Sequence, residues 1–225
     1  MVEERLHAVL SGDIVGSRRF ADRGPAVRDA IKIAYRACAD EFGDELQGVD
    51  VFRGDSWQVL VRSPGLALRI GLLMWALIKS SAELPGADTR LAIGIGGVEF
   101  VDRDNLSESQ GEAFTLSGEA LDSLRDSKLR MAARVPDSWS DDAGLLEPQA
   151  TLDMAMALVD AISRHWTSSQ AAAVARALMD LEQVRIAEEL SISQSAVSQT
   201  LSSARWSAVE QAVGWWERAI QGHPE

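Results

Sequence analysis

Residues 7–17 read His-Ala-Val-Leu-Ser-Gly-Asp-Ile-Val-Gly-Ser, and residues 49–62 read Val-Asp-Val-Phe-Arg-Gly-Asp-Ser-Trp-Gln-Val-Leu-Val-Arg. The first holds a short apolar strand, residues 6–14, that runs into Gly and Asp. The second is a pair of β-rich runs, 49–53 and 56–62, separated by the hairpin signal Gly54-Asp55. Between them Gly24-Pro25 punctuates the chain, and Val27, Ile31, Ala34, Cys38 and Phe42 recur at helical spacing. Cys38 lies in that stripe and reads as packing rather than as a nucleophile. Pro64 opens a helix through Leu84, with Leu66, Ile70, Leu73, Leu77 and Ile78 as its buried stripe. Residues 89–100 form a strand containing Gly94, Gly96 and Gly97, and 111–129 a further helix. The order β-α-β-β-α-β-α predicts a ferredoxin-like palm within an α+β chain: an antiparallel sheet with helices on one face.

Residues 135–150, rich in Pro, Gly, Ser and Asp, read as a linker between a palm domain (1–134) and an all-helical domain (151–225). Thr167 and Gln170 have the spacing of a capping box. Residues 181–201 then carry the pattern of a helix-turn-helix. Ile186, Ala187 and Leu190 mark one short helix, Ile192 is expected to be buried in the turn, and Val197 and Leu201 form the inner side of the second helix, capped by Ser193. Gln194, Ser195, Ser198, Gln199 and Ser202 fall on its outer side, where Gln matches adenine and Ser matches bases or phosphate. Arg185 and Arg205 are placed for phosphate contacts. Trp57, Trp75, Trp206, Trp215 and Trp216 read as packing residues.

Composition is that of a globular protein, and the net charge of −12 argues against a non-specific binder of polyanions. The helical segment 167–225 is itself acidic, with four Arg against seven Asp and Glu. A single cysteine suits a reducing compartment. The acidic N-terminus has no signal-peptide layout, and the longest apolar stretch, 66–78, is too short to cross a bilayer. These features together predict a cytoplasmic protein with no membrane partner.

Two carboxylates carry the chemistry. In a β-α-β-β palm the first strand lies beside the hairpin, so Asp13 and Asp55 are expected at one end of the sheet. Such a pair, with the backbone carbonyl of Ile14, suits Mg²⁺ or Mn²⁺ shared with substrate phosphates. Gly16 allows close approach of a phosphate, the helix after Ser17 offers free N–H groups, and Arg18 and Arg19 supply positive charge. Against this, Asp before a turn and Gly-Asp at a hairpin tip also occur simply because they fit turn geometry.

The stretches Asp13-Ile14-Val15-Gly16 and 51–56 resemble the two metal motifs of class III adenylyl and guanylyl cyclases, and 90–97 is similar to their Gly-rich central strand. Over most of its length the chain resembles the SatD family, which carries Gly-Asp-Ile-Val-Gly-Ser and a later Gly-Asp. Residues 181–201 resemble the tri-helical modules of sigma-factor region four and of response regulators. The cyclase resemblance implies a homodimer, a nucleotide ligand and a last catalytic helix beginning at Gly111. It also implies departures. Val51 stands where those enzymes have the base-reading Lys, Thr115 where they have the transition-state Asn, and Glu119 where they have the phosphate-binding Arg. Lys128 or Arg130, at the end of the same helix, is the candidate replacement for that cation. Three functions follow: a DNA-binding regulator that senses a nucleotide, a nucleotidyl transferase or cyclase of altered substrate, or an interaction protein with neither activity.

Overall fold

The computed structural model describes residues 6–52, 54–102, 105–139 and 148–221, with the backbone alone at Ala21, Arg23 and Gln221. Five strands, β1 (His7–Ile14), β2 (Leu46–Phe52), β3 (Ser56–Val61), β4 (Thr89–Gly96) and β5 (Met131–Arg134), form one sheet in the order β2-β3-β1-β4-β5. Strand β1 is antiparallel to both of its neighbours, β2 is antiparallel to β3, and β5 is parallel to β4. Eight α-helices follow the chain: α1 (Gly24–Phe42), α2 (Ala67–Lys79), α3 (Glu112–Arg125), α4 (Pro148–Ser163), α5 (Ser168–Leu178), α6 (Gln183–Leu190), α7 (Gln194–Ser203) and α8 (Trp206–Gln221). The architecture is α+β.

Two expectations need correcting. The sheet is mixed rather than antiparallel, because β5 extends it. Met-Ala-Ala-Arg is four residues long with no apolar alternation, so nothing in its pattern marks a strand. Helices also cover both faces, not one. On β4, Leu91, Ile93 and Ile95 join the large core beneath α1 and α2, whereas Ala92 packs with Ala120, Leu121 and Leu124 of α3. The α3 side of β4 carries small residues, and that is what lets a helix backbone lie on it. A Cβ on Gly94 would stand 2.2 Å from the Ser117 nitrogen and 2.4 Å from the Ala113 carbonyl. The expected helix over 64–84 is a short 3-10 turn at Pro64–Leu66 followed by α2, and β4 stops at Gly96.

Helix α2 is apolar but for Arg69 and Lys79, and eleven of its thirteen residues are buried. A helix of that kind needs cover all round. It takes α1, β1 and β4 on one side and α5 and α8 on the other. The buried cluster accordingly includes Leu10, Leu73 and Ile93 together with Leu152, Val174, Val213 and Trp216, from either side of the 135–150 stretch. Of that stretch, 140–147 lies outside the described residues, while Pro148 already begins α4. Cys38 is fully buried, and burial pushes its thiol pKa up, as suits a packing residue. Among the described residues no helix is long and apolar enough to cross a membrane.

The α3–β4 contact generates the first test. Gly94→Ala drives a methyl group into backbone and should cost about 3 kcal/mol or more. Gly118→Ala, on the same helix with nothing within 4 Å of the new Cβ, should gain up to about 1 kcal/mol from helix propensity. Urea denaturation of both variants reads the difference, and equal losses would contradict the close approach.

Candidate functional site

Strand pairing brings the two acids to one end of the sheet. Asp13, next to last in β1, faces Ser56 across the β1–β3 register, and Asp55 immediately precedes Ser56. The Ile14 N–H donates to the Asp55 carbonyl at 3.1 Å, which ties the end of β1 to the hairpin turn. Gly12 is required there. Trp57, fully buried on β3, lies so close over it that a Cβ would sit 2.4 Å from the indole ring. The Trp57 Nε1–H donates to the Thr89 hydroxyl at 3.1 Å, and that hydroxyl lies 2.8 Å from the Asp13 carbonyl.

One residue of this site was not foreseen. Arg90, opposite Asp13 on β4, donates through Nη1 to both carboxylate oxygens, at 2.8 and 3.1 Å. An Arg at the second position of a strand looks like any surface cation in a sequence. Only the β1–β4 register places it on the acid. On the same α3 side of β1 a buried polar strip continues inward: Gln58 Nε2 donates to the Ser11 hydroxyl at 3.1 Å, and Ser11 and Ser117 hydroxyls lie 3.0 Å apart.

The remaining expected ligand contacts divide. Gly16 adopts φ 65°, and Ser17 begins a 3-10 turn, Ser17–Arg23, rather than the long helix α1. Arg18 is exposed; Arg19 folds over the Gly16 turn, donating to the Val15 and Gly86 carbonyls at 3.3 Å each. Thr115 is exposed in the first turn of α3, above the end of β4 where Gly94 meets Ala113 and Ser117. Arg90 is four residues back along that strand, roughly 13 Å at 3.3 Å per residue, so Thr115 is not gathered with the acids. Lys128 does return to the acid end, since Leu91 N–H donates to the Arg130 carbonyl, but on the β5 side. Arg130 itself is engaged with Asp88. Among the described residues no three His, Cys, Asp or Glu side chains gather around a common point.

Asp88 belongs to a charge cluster where the sheet meets the C-terminal helices. Lys79 Nζ donates to Asp88 at 2.9 Å and to the Arg164 carbonyl at 3.1 Å; Arg130 N–H donates to Asp160 at 3.3 Å; Arg164 faces Asp160 at 3.6 Å. Burial draws the Lys79 ammonium down to about 8, with the Arg130 charge adding to the effect and Asp160 opposing it. Burial pushes the Asp160 carboxyl up. A lysine whose folded pKa lies below its unfolded value near 10.5 binds more protons when unfolded, so stability rises with pH through that window. Relative to Lys79→Met, the wild type should therefore gain roughly 1–3 kcal/mol between pH 8 and 10.5, read by denaturant titration at each pH. A constant difference would show that Lys79 stays charged.

In the helical segment the Thr167–Gln170 capping box is present, and the Ser193 hydroxyl caps α7 by accepting from Ala196 N–H at 3.2 Å. Ser191 takes the left-handed turn between α6 and α7 at φ 53°. Ile186, Ala187, Val197 and Leu201 are buried between the helices. Ile192 is not. It is 42% exposed, because its N–H returns to the Ala187 carbonyl while the side chain faces outward. Gln194, Ser195, Ser198, Gln199 and Ser202 are all exposed on α7, and Arg185 and Arg205 are exposed beside them. Arg185 pairs with Glu188, and Arg176 with Glu189. The module is fastened to the sheet by Arg69, which donates to Glu217 at 2.7 Å and Asp180 at 3.0 Å, and by Trp216, whose Nε1–H donates to the Pro64 carbonyl at 3.0 Å. The expected packing roles of Trp57, Trp75 and Trp216 agree with their complete burial. The chain matches no protein-family model and no curated protein.

Proposed function

We propose that this chain is a DNA-binding transcriptional regulator whose sheet domain senses a nucleotide. The observation that carries the reading is the α7 surface. One side, Val197 and Leu201, is buried, while the opposite side presents a continuous row of Gln and Ser with no apolar residue in it. A recognition helix lying in the major groove needs that division. The α5–α6–α7 arrangement, with a left-handed turn before a capped second helix, supports reading it as a helix-turn-helix. The β2-β3-β1-β4 order supports a ferredoxin-like palm, here widened by β5. Two copies would read a palindromic site, the nucleotide shifting their geometry, in the cytoplasm.

Asp13, Asp55 and the Ile14 carbonyl are hard oxygen donors and fit Mg²⁺ or Mn²⁺ that completes its shell with phosphate oxygens and water. Gly16, Ser17, Arg18 and Lys128 would face the phosphates, and Thr115 is too distant to share the same ligand atoms. The cation would supply charge neutralisation for the phosphates. Binding rather than turnover is the reading, because Val51, Thr115 and Glu119 stand where the cyclases have the base-reading Lys, the transition-state Asn and the phosphate-binding Arg.

A second reading, a protein-docking module, draws on Val184 and Ile192, both exposed next to α7, and on the paired state of Arg176 and Arg185. Selection from a random-sequence duplex library separates the two. The regulator should enrich an inverted repeat, with affinity falling steeply with salt, and Gln199→Ala should cost about 1–3 kcal/mol at one base position. No enrichment would sink DNA reading. For the ligand, the melting temperature is measured against a nucleotide panel with and without Mg²⁺. A Mg²⁺-dependent rise that disappears in Asp13→Ala/Asp55→Ala is expected by mass action, and no rise with any nucleotide would end the sensor reading.

A further inference from the structure

We infer that Arg90 is the phosphate-gripping residue of the Asp13–Asp55 site, held in reserve by Asp13 until a divalent cation takes that carboxylate. The inference rests on the reading of this site as a nucleotide site, and deepens it. The acid best placed to hold a cation already holds a guanidinium, through both of its oxygens. A cation arriving at Asp13 must therefore displace Arg90 or share the carboxylate with it, and two positive charges on one carboxylate repel.

The surroundings give the displaced guanidinium one sensible destination. The Arg90 and Asp13 side chains are 23% and 13% exposed, so the pair is open to a ligand but too sheltered for water to compensate a lone charge fully. Asp55 adjoins Asp13 through the β1–hairpin tie and is itself a ligand of the cation in this reading, so its charge is taken up by the same ion and the guanidinium needs another anion. Among the described residues Arg90 donates only to Asp13, so Nε and Nη2 keep their N–H groups for a second acceptor. A phosphate sharing the cation with Asp13 presents oxygens within reach of the same side chain, and a guanidinium fork suits them. Of the other cations at this end, Arg19 is committed to the Val15 and Gly86 carbonyls and Arg130 to Asp88, while Arg18 and Lys128 are exposed and would meet the outer phosphates from the 3-10 turn and the β5 side rather than at the shared carboxylate. Position 119, the candidate place for such a cation on α3, holds an exposed Glu. Arg90 makes up that missing charge from the sheet instead.

The arrangement makes cation and phosphate binding mutually dependent. Cation alone is opposed by Arg90, and phosphate alone finds Arg90 occupied by Asp13. Together, each removes the other's obstacle. Two variants test this with opposite signs that loss of structure would not produce. The probes are Mn²⁺ alone, followed by the electron paramagnetic resonance of the free ion, and ATP, GTP and inorganic tripolyphosphate, followed by calorimetry with and without Mn²⁺. In Arg90→Met, Mn²⁺ alone should bind several-fold more tightly while the Mn²⁺-dependent binding of the polyphosphates weakens about tenfold or more. In Asp13→Asn, Mn²⁺ binding should be lost while metal-free tripolyphosphate binds several-fold more tightly, because Arg90 is released. Arg90→Lys should recover part of the polyphosphate affinity.

If the wild type binds Mn²⁺ with a polyphosphate and both affinities of Arg90→Met are unchanged, or fall together, the inference is overturned and the site reading stands. If the wild type binds no polyphosphate with Mn²⁺, both are overturned. Should Arg90→Met fail to fold, Asp13→Asn decides alone, and unchanged or weaker metal-free tripolyphosphate binding in it counts against the inference.

Discussion

Helix α2 is the constraint on which the remainder of the molecule depends. It is thirteen residues long, apolar but for Arg69 and Lys79, and follows the 3-10 turn after the β3 hairpin strand. Leaving either side in water would expose several large side chains, each worth about 1.5–3 kcal/mol on burial. The sheet with α1 can cover one side only. The other is covered by α5 and α8, the first of which begins 89 residues after α2 ends. The C-terminal helices are therefore part of the solution to burying α2, and not a module that merely follows the sheet.

That packing fixes the electrostatics of the junction. Lys79 ends α2 among Asp88, Arg130, Asp160 and Arg164, most of them well sheltered, so three cations and two acids must satisfy one another where water is scarce. Among the described residues the Asp160 Oδ2 and Arg164 Nε atoms find no hydrogen-bond partner. A cluster of this kind contributes less stability than its number of contacts suggests, because desolvation offsets much of the Coulombic gain. What it does provide is alignment. Asp88 O accepts from Val15 N–H beside the acid pair, its carboxylate meets Lys79, and the Lys79 carbonyl accepts from Ser168 at the start of α5. A chain of direct contacts thus runs from the candidate ligand site to the first helix of the candidate DNA-reading unit.

Much of the site and fold was legible because local rules sufficed. The Gly54-Asp55 turn, the alternation along residues 57–61 and the Thr167 and Ser193 caps depend on backbone conformation within a few residues, and each stands where its pattern placed it. The placement of Asp13 and Asp55 at one end of the sheet was also legible, since a hairpin and an adjoining first strand leave few ways to pair. Arg90 was not, because register is a property of two strands separated by some seventy-six residues. Nor was β5, whose four residues carry no period of their own and become a strand only by pairing with β4. Ile192 failed for the opposite reason: apolarity suggested burial, but the left-handed turn at Ser191 turned it outward.

The sequence by itself determined that strands β1 to β4 and the helices between them form, the apolar stripe of α1, and that two acids share one end of a sheet. Those follow from side-chain periodicity and turn chemistry, which act over short distances along the chain. Tertiary structure alone decided that Arg90 occupies Asp13, that α3 lies on the glycine side of β4, and that α2 is shared by the sheet and the C-terminal helices. Each of these depends on groups remote in sequence being brought within a few ångströms, where sterics and unscreened charge select one arrangement among many that the local pattern permits.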